Sequence, residues 1–257
     1  MTGADLSAWT APRPSTCPGC DAPTPGPHLC DACGARTAAQ EASDAWAARW
    51  RSAFPPGLWR APDGSPWSKG ARPCPPPDLV ELAREKRLLG APEVCAAASD
   101  WLASGKRTLV VRGCVGALKT TMAAALVLEH LQLGGDAWIV RAGDLARSPD
   151  DPTDPAVERT AVAWLRAEHL RALVVLDDLG AELGDGYGAS RRVDGARRIV
   201  QHRADKAART VITTSIGDDC DQGEFVAALA SRYEMDIARR LVDPVLSTVI
   251  HLRRKEG

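Results

Sequence analysis

The chain has 257 residues, 45% of them hydrophobic, and a formal net charge of -1 at neutral pH. That length and composition allow one full α/β domain with a sizeable core plus a small extra module. A net charge this close to zero excludes a global field that would draw the chain to nucleic acid or to a membrane, so any such contact needs a local patch.

The opening residues, MTGADLSAWTAPRPS, carry neither a basic stretch nor an apolar core, so no signal peptide is expected. The apolar runs farther on are too short and too interrupted to span a bilayer, and a cytoplasmic protein with no membrane partner is expected. Residues 1–36 are rich in Cys, Pro and Gly and show no helical or strand period. They contain two CxxC knuckles, Cys17-x2-Cys20 and Cys30-x2-Cys33. Two such knuckles can supply four thiolates to a tetrahedral Zn²⁺. His28 could substitute as a ligand, but four cysteines already close the site. A segment this short and polar cannot build an apolar core, so the metal would supply much of its folding energy. The chain has 8 cysteines in all, and a cytoplasmic location argues against a disulfide framework. The others, Cys74, Cys95, Cys114 and Cys220, are scattered and read as small incidental residues.

Residues 37–53 place Ala42, Trp46, Ala47 and Trp50 at helical spacing, continued by Phe54, which predicts an amphipathic helix. Residues 55–78 then have the proline-rich composition of a linker. From Leu79 the chain turns globular. The expected organisation is a zinc module over 1–36, a helix and linker over 37–78 and an α/β domain over 79–257. Helices are predicted at 79–89 and 91–104. After them, strands at 108–112, 136–141, 171–177, 210–215 and 248–252 alternate with helices at 120–133, 143–147, 156–169, 190–207, 223–231 and 235–242. That alternation predicts a parallel sheet of five strands flanked by helices on both faces.

Two stretches carry chemistry. LVVRGCVGALKTT, residues 109–121, reads as an apolar strand, a glycine-containing loop and a Lys-Thr pair opening a helix, the layout of a phosphate-binding P-loop. The candidate nucleotide-binding residues are Gly113, Cys114, Val115, Gly116, Ala117, Leu118, Lys119, Thr120 and Thr121. Gly113 and Gly116 free the turn to approach a phosphate. Lys119 would reach the β- and γ-phosphates of ATP, and the Thr120 hydroxyl would ligate Mg²⁺. The pattern demands glycine before the lysine, and Leu118 stands there. A side chain forced left-handed at that point costs roughly 1–2 kcal/mol, so weak nucleotide affinity is expected. The second stretch, ALVVLDDLGAEL at 172–183, is an apolar strand ending in two carboxylates. Asp177 would hold Mg²⁺ and Asp178 would orient or deprotonate the attacking water.

RGCVGALKTTMAAAL, DAWIVRAGDLARS, ALVVLDDLGAE, TVITTSI, and DIARRL followed by STVIHL together resemble the AAA+ ATPases of the DnaC/DnaI helicase-loader and IstB transposition-helper group. The resemblance covers about two-thirds of the chain, with LDDLGAE its most specific part. It implies an AAA+ P-loop domain with a minimal C-terminal lid that takes ATP together with Mg²⁺. It implies that TVITTS carries the sensor-1 polar residue, Ser215 standing where the family has Asn and Thr214 beside it. It further implies that Arg240 is an arginine finger completing a neighbouring subunit's site, which means self-association. Asp236 departs from the group in replacing a basic residue. The cysteine module is similar to the zinc-bearing N-terminal domain of DnaI-type loaders, the part that contacts the replicative helicase. The implied function is ATP-dependent loading of a replicative helicase in bacterial or phage DNA replication. The alternatives are an IstB-like transposition helper and an adaptor with impaired nucleotide binding, the last motivated by Leu118. Arg191, Arg192, Arg197, Arg198, Arg203, Lys206 and Arg209 form a basic run that reads either as a solvated helix face or as a contact for single-stranded DNA or another subunit.

Overall fold

The structure, a computed structural model, describes residues 15–16, 18–24, 29–69, 72–85, 88–146, 157–180, 189–218 and 220–253. The chain divides into two compact units, residues 1–49 and 50–257.

In the first unit, β1 (Ser15–Thr16) and β2 (Pro23–Thr24) pair antiparallel, with Ser15 opposite Thr24. Helix α1 (Asp31–Ala53) begins earlier than its apolar spacing predicts. Asp31 in the first turn complements the helix dipole, and Cys33 is buried there, so the helix reaches back into the cysteine-rich stretch.

The second unit takes in the proline-rich stretch that composition presents as a linker. Trp50 and Phe54 are buried, and Trp59 stacks edge-on against Trp50 and Trp67 with ring centroids 5.8 and 5.1 Å apart. The Trp59 indole Nε1 donates to the Phe54 carbonyl at 3.1 Å. Arg60 makes antiparallel bridges to Pro66 and Cys74 and an ion pair with Glu81 at 2.8 Å. Aromatic edge-to-face packing gives this segment its own contacts despite the prolines.

Helix α2 (Leu79–Leu82) is much shorter than the predicted 79–89. Asp78 caps its start, and the bonds from Arg84 N to Glu81 O and from Glu85 N to Leu82 O tighten the chain into a terminating turn. Helix α3 (Ala91–Ala103) leads into a sheet formed by β3 (Thr108–Gly113), β4 (Ala137–Arg141), β5 (Leu173–Leu179), β6 (Thr210–Thr214) and β7 (Ser247–Leu252). The strand order is β4-β5-β6-β3-β7, and every pairing is parallel. Between the strands run α4 (Lys119–Gln132), a 3-10 turn (Ala142–Ala146), α5 (Val157–Glu168), α6 (Ala189–Asp205), α7 (Gln222–Tyr233) and α8 (Met235–Val242). Leu173 to Leu176 and the whole of β3 are buried, as central parallel strands covered on both faces must be. The chain leaves β3 through α4 for the far edge at β4, then returns from β6 through α7 and α8 to β7 on the other side. A change of direction of this kind opens a crevice at the carboxyl end of the strand where it happens, here β3. Among the described residues no helix is long and apolar enough to cross a membrane.

Candidate functional site

The loop that follows β3 occupies that crevice. Gly113 has φ +153°, and a Cβ built on it would lie 2.3 Å from the carbonyl oxygen of Leu252 on β7, so no side chain fits. Leu118 caps α4 with φ 61° and ψ 24°, a left-handed conformation, and its carbonyl accepts from Met122 N at 2.9 Å. The strain expected from the missing glycine is therefore present in the backbone. Lys119 is buried and its Nζ turns back onto the loop, donating to the carbonyls of Gly113 at 2.7 Å and Cys114 at 2.9 Å. Burial pushes the ammonium pKa down, opposed by the nearby Asp178, Cys114, Asp218 and Asp177. Ala117 is buried, while Val115 and Gly116 at the tip are exposed.

The two carboxylates end in different environments. Asp177 is 7% exposed, and its Oδ1 accepts from Thr120 Oγ1 at 2.8 Å and Thr213 Oγ1 at 2.7 Å. Asp178 is exposed, its backbone is left-handed at φ 60°, and its N–H donates to Thr213 Oγ1 at 2.8 Å. A register shift between Leu176 and Leu179 against β6 makes this turn possible, since a bulge re-aims the side chains that follow it. The fully buried Thr213 hydroxyl thus donates to one aspartate side chain and accepts from the next aspartate's backbone. The sequence points one and two residues further on. Thr214 Oγ1 is engaged with backbone, donating to Leu179 O at 2.7 Å and accepting from Ile216 N at 3.1 Å, and Ser215 directly follows β6. The structure brings Lys119, Thr120, Asp177 and Asp178 near one another, with Thr213 and Asp218 beside them.

Arg240 lies elsewhere, on α8, half-exposed and ion-paired with Asp205 at the end of α6. The basic run does not form one solvated face. Arg203 is fully buried and donates to Thr210 Oγ1 and to the carbonyls of Ala167, His169, Ala172 and Arg209, at 2.7 to 3.0 Å. Burial pushes its pKa down to about 10, which leaves it charged at neutral pH. Arg209 donates to the carbonyls of Trp101 and Leu102 and stacks over the Trp101 ring at 4.6 Å. Arg197 pairs with Asp194 and Glu234, and Arg198 lies over Trp164. Arg203 and Arg209 are internal staples, because a helix end and a strand start leave carbonyls that need donors.

In the first unit, the Sγ atoms of Cys20, Cys30 and Cys33 all lie within 4.8 Å of one another. Cys20 and Cys30 are 3.5 Å apart, and Arg36 donates to Cys33 Sγ at 2.9 Å. Cys17, the fourth expected ligand, and His28 lie outside the described residues. Three converging sulfurs and a cation beside them suit a soft divalent metal, and the donor chemistry fits Zn²⁺.

The five-stranded parallel sheet with its flanking helices is a fold shared with solved structures. The structure is similar to the crystal structure of the DnaC helicase loader, with a TM-score of 0.51 at 18% identity over 68% of this chain and 96% of that one. It also matches the crystal structure of DnaI, with a TM-score of 0.45 at 19% identity over 67% of this chain and 86% of that one. A third match is AMPPCP-bound DnaA from Aquifex aeolicus, with a TM-score of 0.43 at 16% identity over 61% of this chain and 47% of that one. No protein-family model and no curated protein matches the chain.

Proposed function

We propose that the chain is an ATP-dependent loader of a replicative helicase. The observation that carries the nucleotide part is the linkage of Thr120, Asp177 and Thr213 at the carboxyl end of the sheet, beside the Lys119 loop. A hydroxyl at a helix start bonded to a buried strand-end carboxylate is the pair that takes up Mg²⁺ with a bound nucleoside triphosphate. On this reading Lys119 leaves the Gly113 and Cys114 carbonyls to meet the β- and γ-phosphates of ATP. Thr120 and Asp177 hold the Mg²⁺, and the exposed Asp178 orients the attacking water. Thr214 at the end of β6 and Ser215 directly after it are the sensor candidates. Arg240 acts on a neighbouring subunit's site after giving up Asp205. Cys17, Cys20, Cys30 and Cys33 hold a structural Zn²⁺ in the unit that binds the helicase, and the ATPase unit engages single-stranded DNA.

A second reading rests on Leu118. A strained left-handed leucine and a lysine already bonded to its own loop favour an adaptor that keeps the fold and binds nucleotide poorly. The two readings separate in one experiment. Purified chain is assayed for Mg²⁺-dependent ATP hydrolysis and for co-elution with a hexameric replicative helicase. The loader reading expects both, with Lys119→Ala removing hydrolysis but not co-elution. Co-elution without hydrolysis, in the presence of single-stranded DNA, selects the adaptor, and absence of both rejects helicase loading.

A further inference from the structure

A cavity of about 600 Å³ opens beside the sheet edge at β4, within the second unit. Its apolar wall includes Pro56, Ile139 and Val162, and its polar wall carries Arg141, Arg166 and Asp144. No residue of the phosphate loop lines it. The arginines elsewhere in the chain set a standard. Among the described residues, those withdrawn from full exposure each have at least one partner, although Arg112, Arg197 and Arg209 keep a buried Nε without one. Arg60 pairs with Glu81, Arg197 with Glu234, and Arg112, Arg203 and Arg209 with backbone carbonyls. Arg49 also has a partner. Arg166 is the exception. It is part-buried, and no hydrogen bond, ion pair or ring contact to its guanidinium exists among the described residues. Burial pushes its pKa down. Arg141, on the same cavity wall, likewise has no described partner.

A part-buried cation without a described partner is less favourable than a paired one, and an anion that enters the cavity supplies that partner. Two guanidinium groups on one wall match the oxygens of a phosphate, which they bind with directional, charge-assisted hydrogen bonds. The volume lies inside the range of roughly 300–1,000 Å³ usual for small-molecule sites, and far exceeds what a bare inorganic ion fills. We propose that this cavity binds a small phosphate monoester with a flat apolar body, the phosphate held by Arg141 and Arg166 and the body resting on Pro56, Ile139 and Val162. The site is separate from the P-loop and does not depend on the loader reading.

The probe is AMP, a monophosphate with a planar base and no β- or γ-phosphate for Lys119 to hold. AMP is titrated into the full chain by calorimetry, alongside Lys119→Ala, Arg166→Gln and Arg141→Gln. Saturable binding is expected in the parent and in Lys119→Ala, weakened by about tenfold or more in each arginine variant, the loss of a charged phosphate contact. Thermal melting without AMP guards against misfolding. Arg166→Gln should melt close to the parent temperature, since it removes a part-buried charge that has no described partner. Inorganic phosphate should compete much more weakly than AMP. No saturable AMP binding, or binding lost in Lys119→Ala yet intact in Arg166→Gln, overturns the proposal. Equal competition by inorganic phosphate overturns the apolar half of it.

Discussion

In residues 1–49, Cys33 is the one buried side chain among those described, while residues 50–257 bury apolar side chains from all five strands and from the helices around them. The described residues of the first unit therefore supply almost no apolar burial to offset the entropy of ordering their chain, and the converging sulfurs are the stabilising element they offer. The second unit is in the reverse position. Its core is ample, and its polar groups serve to fix geometry: Arg203 ties helix ends to a strand, and Thr213 ties β6 to two aspartates. One unit should thus fail all at once when ligands are removed, and the other should lose position before it loses its fold.

The largest effect should come from metal removal. Structural zinc contributes on the order of 10 kcal/mol or more to small Cys-ligated modules. Chelation, or Cys33→Ser, should abolish the helical signal of early α1 while the thermal transition of the second unit stays in place. Isotope-labelled NMR with and without chelator reads both at once, and a shared transition would break the contrast. Next in size is Arg203→Met. It keeps the volume but takes the guanidinium donor from the buried carbonyls of Ala167 and Ala172, each costing about 1–3 kcal/mol if unpaired, so the second unit should lose about 2 kcal/mol or more by denaturant melting. A loss below about 1 kcal/mol would mean water replaces the guanidinium and the staple is dispensable.

Thr213→Val should act mainly on position. Stability should fall by only about 1 kcal/mol, because one buried hydroxyl is exchanged for a methyl of similar size. Mg²⁺-dependent hydrolysis should fall by about tenfold or more, because Asp177 loses one of its two hydroxyl donors and the left-handed turn at Asp178 loses its acceptor. Equal activity in parent and variant would show that Thr120 alone orients Asp177.

The sheet was legible because central parallel strands bury both faces and so leave continuous apolar runs, as in Leu173–Leu176. Lys119, Thr120 and Asp177 were legible because their spacing follows from a loop, a helix start and a strand end. Thr213 was not. Neighbouring residues of a strand face opposite ways, and the bulge between Leu176 and Leu179 decides which threonine of Thr213-Thr214 meets Asp177. A register shift leaves no mark in one strand's own residues. Arg203 was hidden for a related reason: its five partners include four carbonyls, and backbone acceptors are the same in every sequence. Helix α2 was over-extended because residues 83–87, AREKR, are all good helix formers, so local propensity does not mark the turn that ends the helix at Leu82.

The smallest stability effect, and the most informative for the nucleotide site, belongs to Leu118. Its φ of 61° is a conformation that glycine adopts without penalty and leucine does not. Leu118→Gly removes that strain but also loosens the unfolded chain, and the two terms oppose each other. Net stabilisation should therefore be about 1 kcal/mol at most. Nucleotide affinity should move further in the same direction, by roughly 1–3 kcal/mol, because the loop no longer stores strain where it must curve around a phosphate. Leu118→Ala separates the causes. It keeps the left-handed penalty and removes the bulk, so affinity matching the parent assigns the effect to backbone, and affinity matching the glycine variant assigns it to crowding by the side chain. ATP binding that is micromolar or tighter in the parent and equal in all three chains would show that the left-handed leucine leaves the cradle open, and would take away the observation that favours the adaptor.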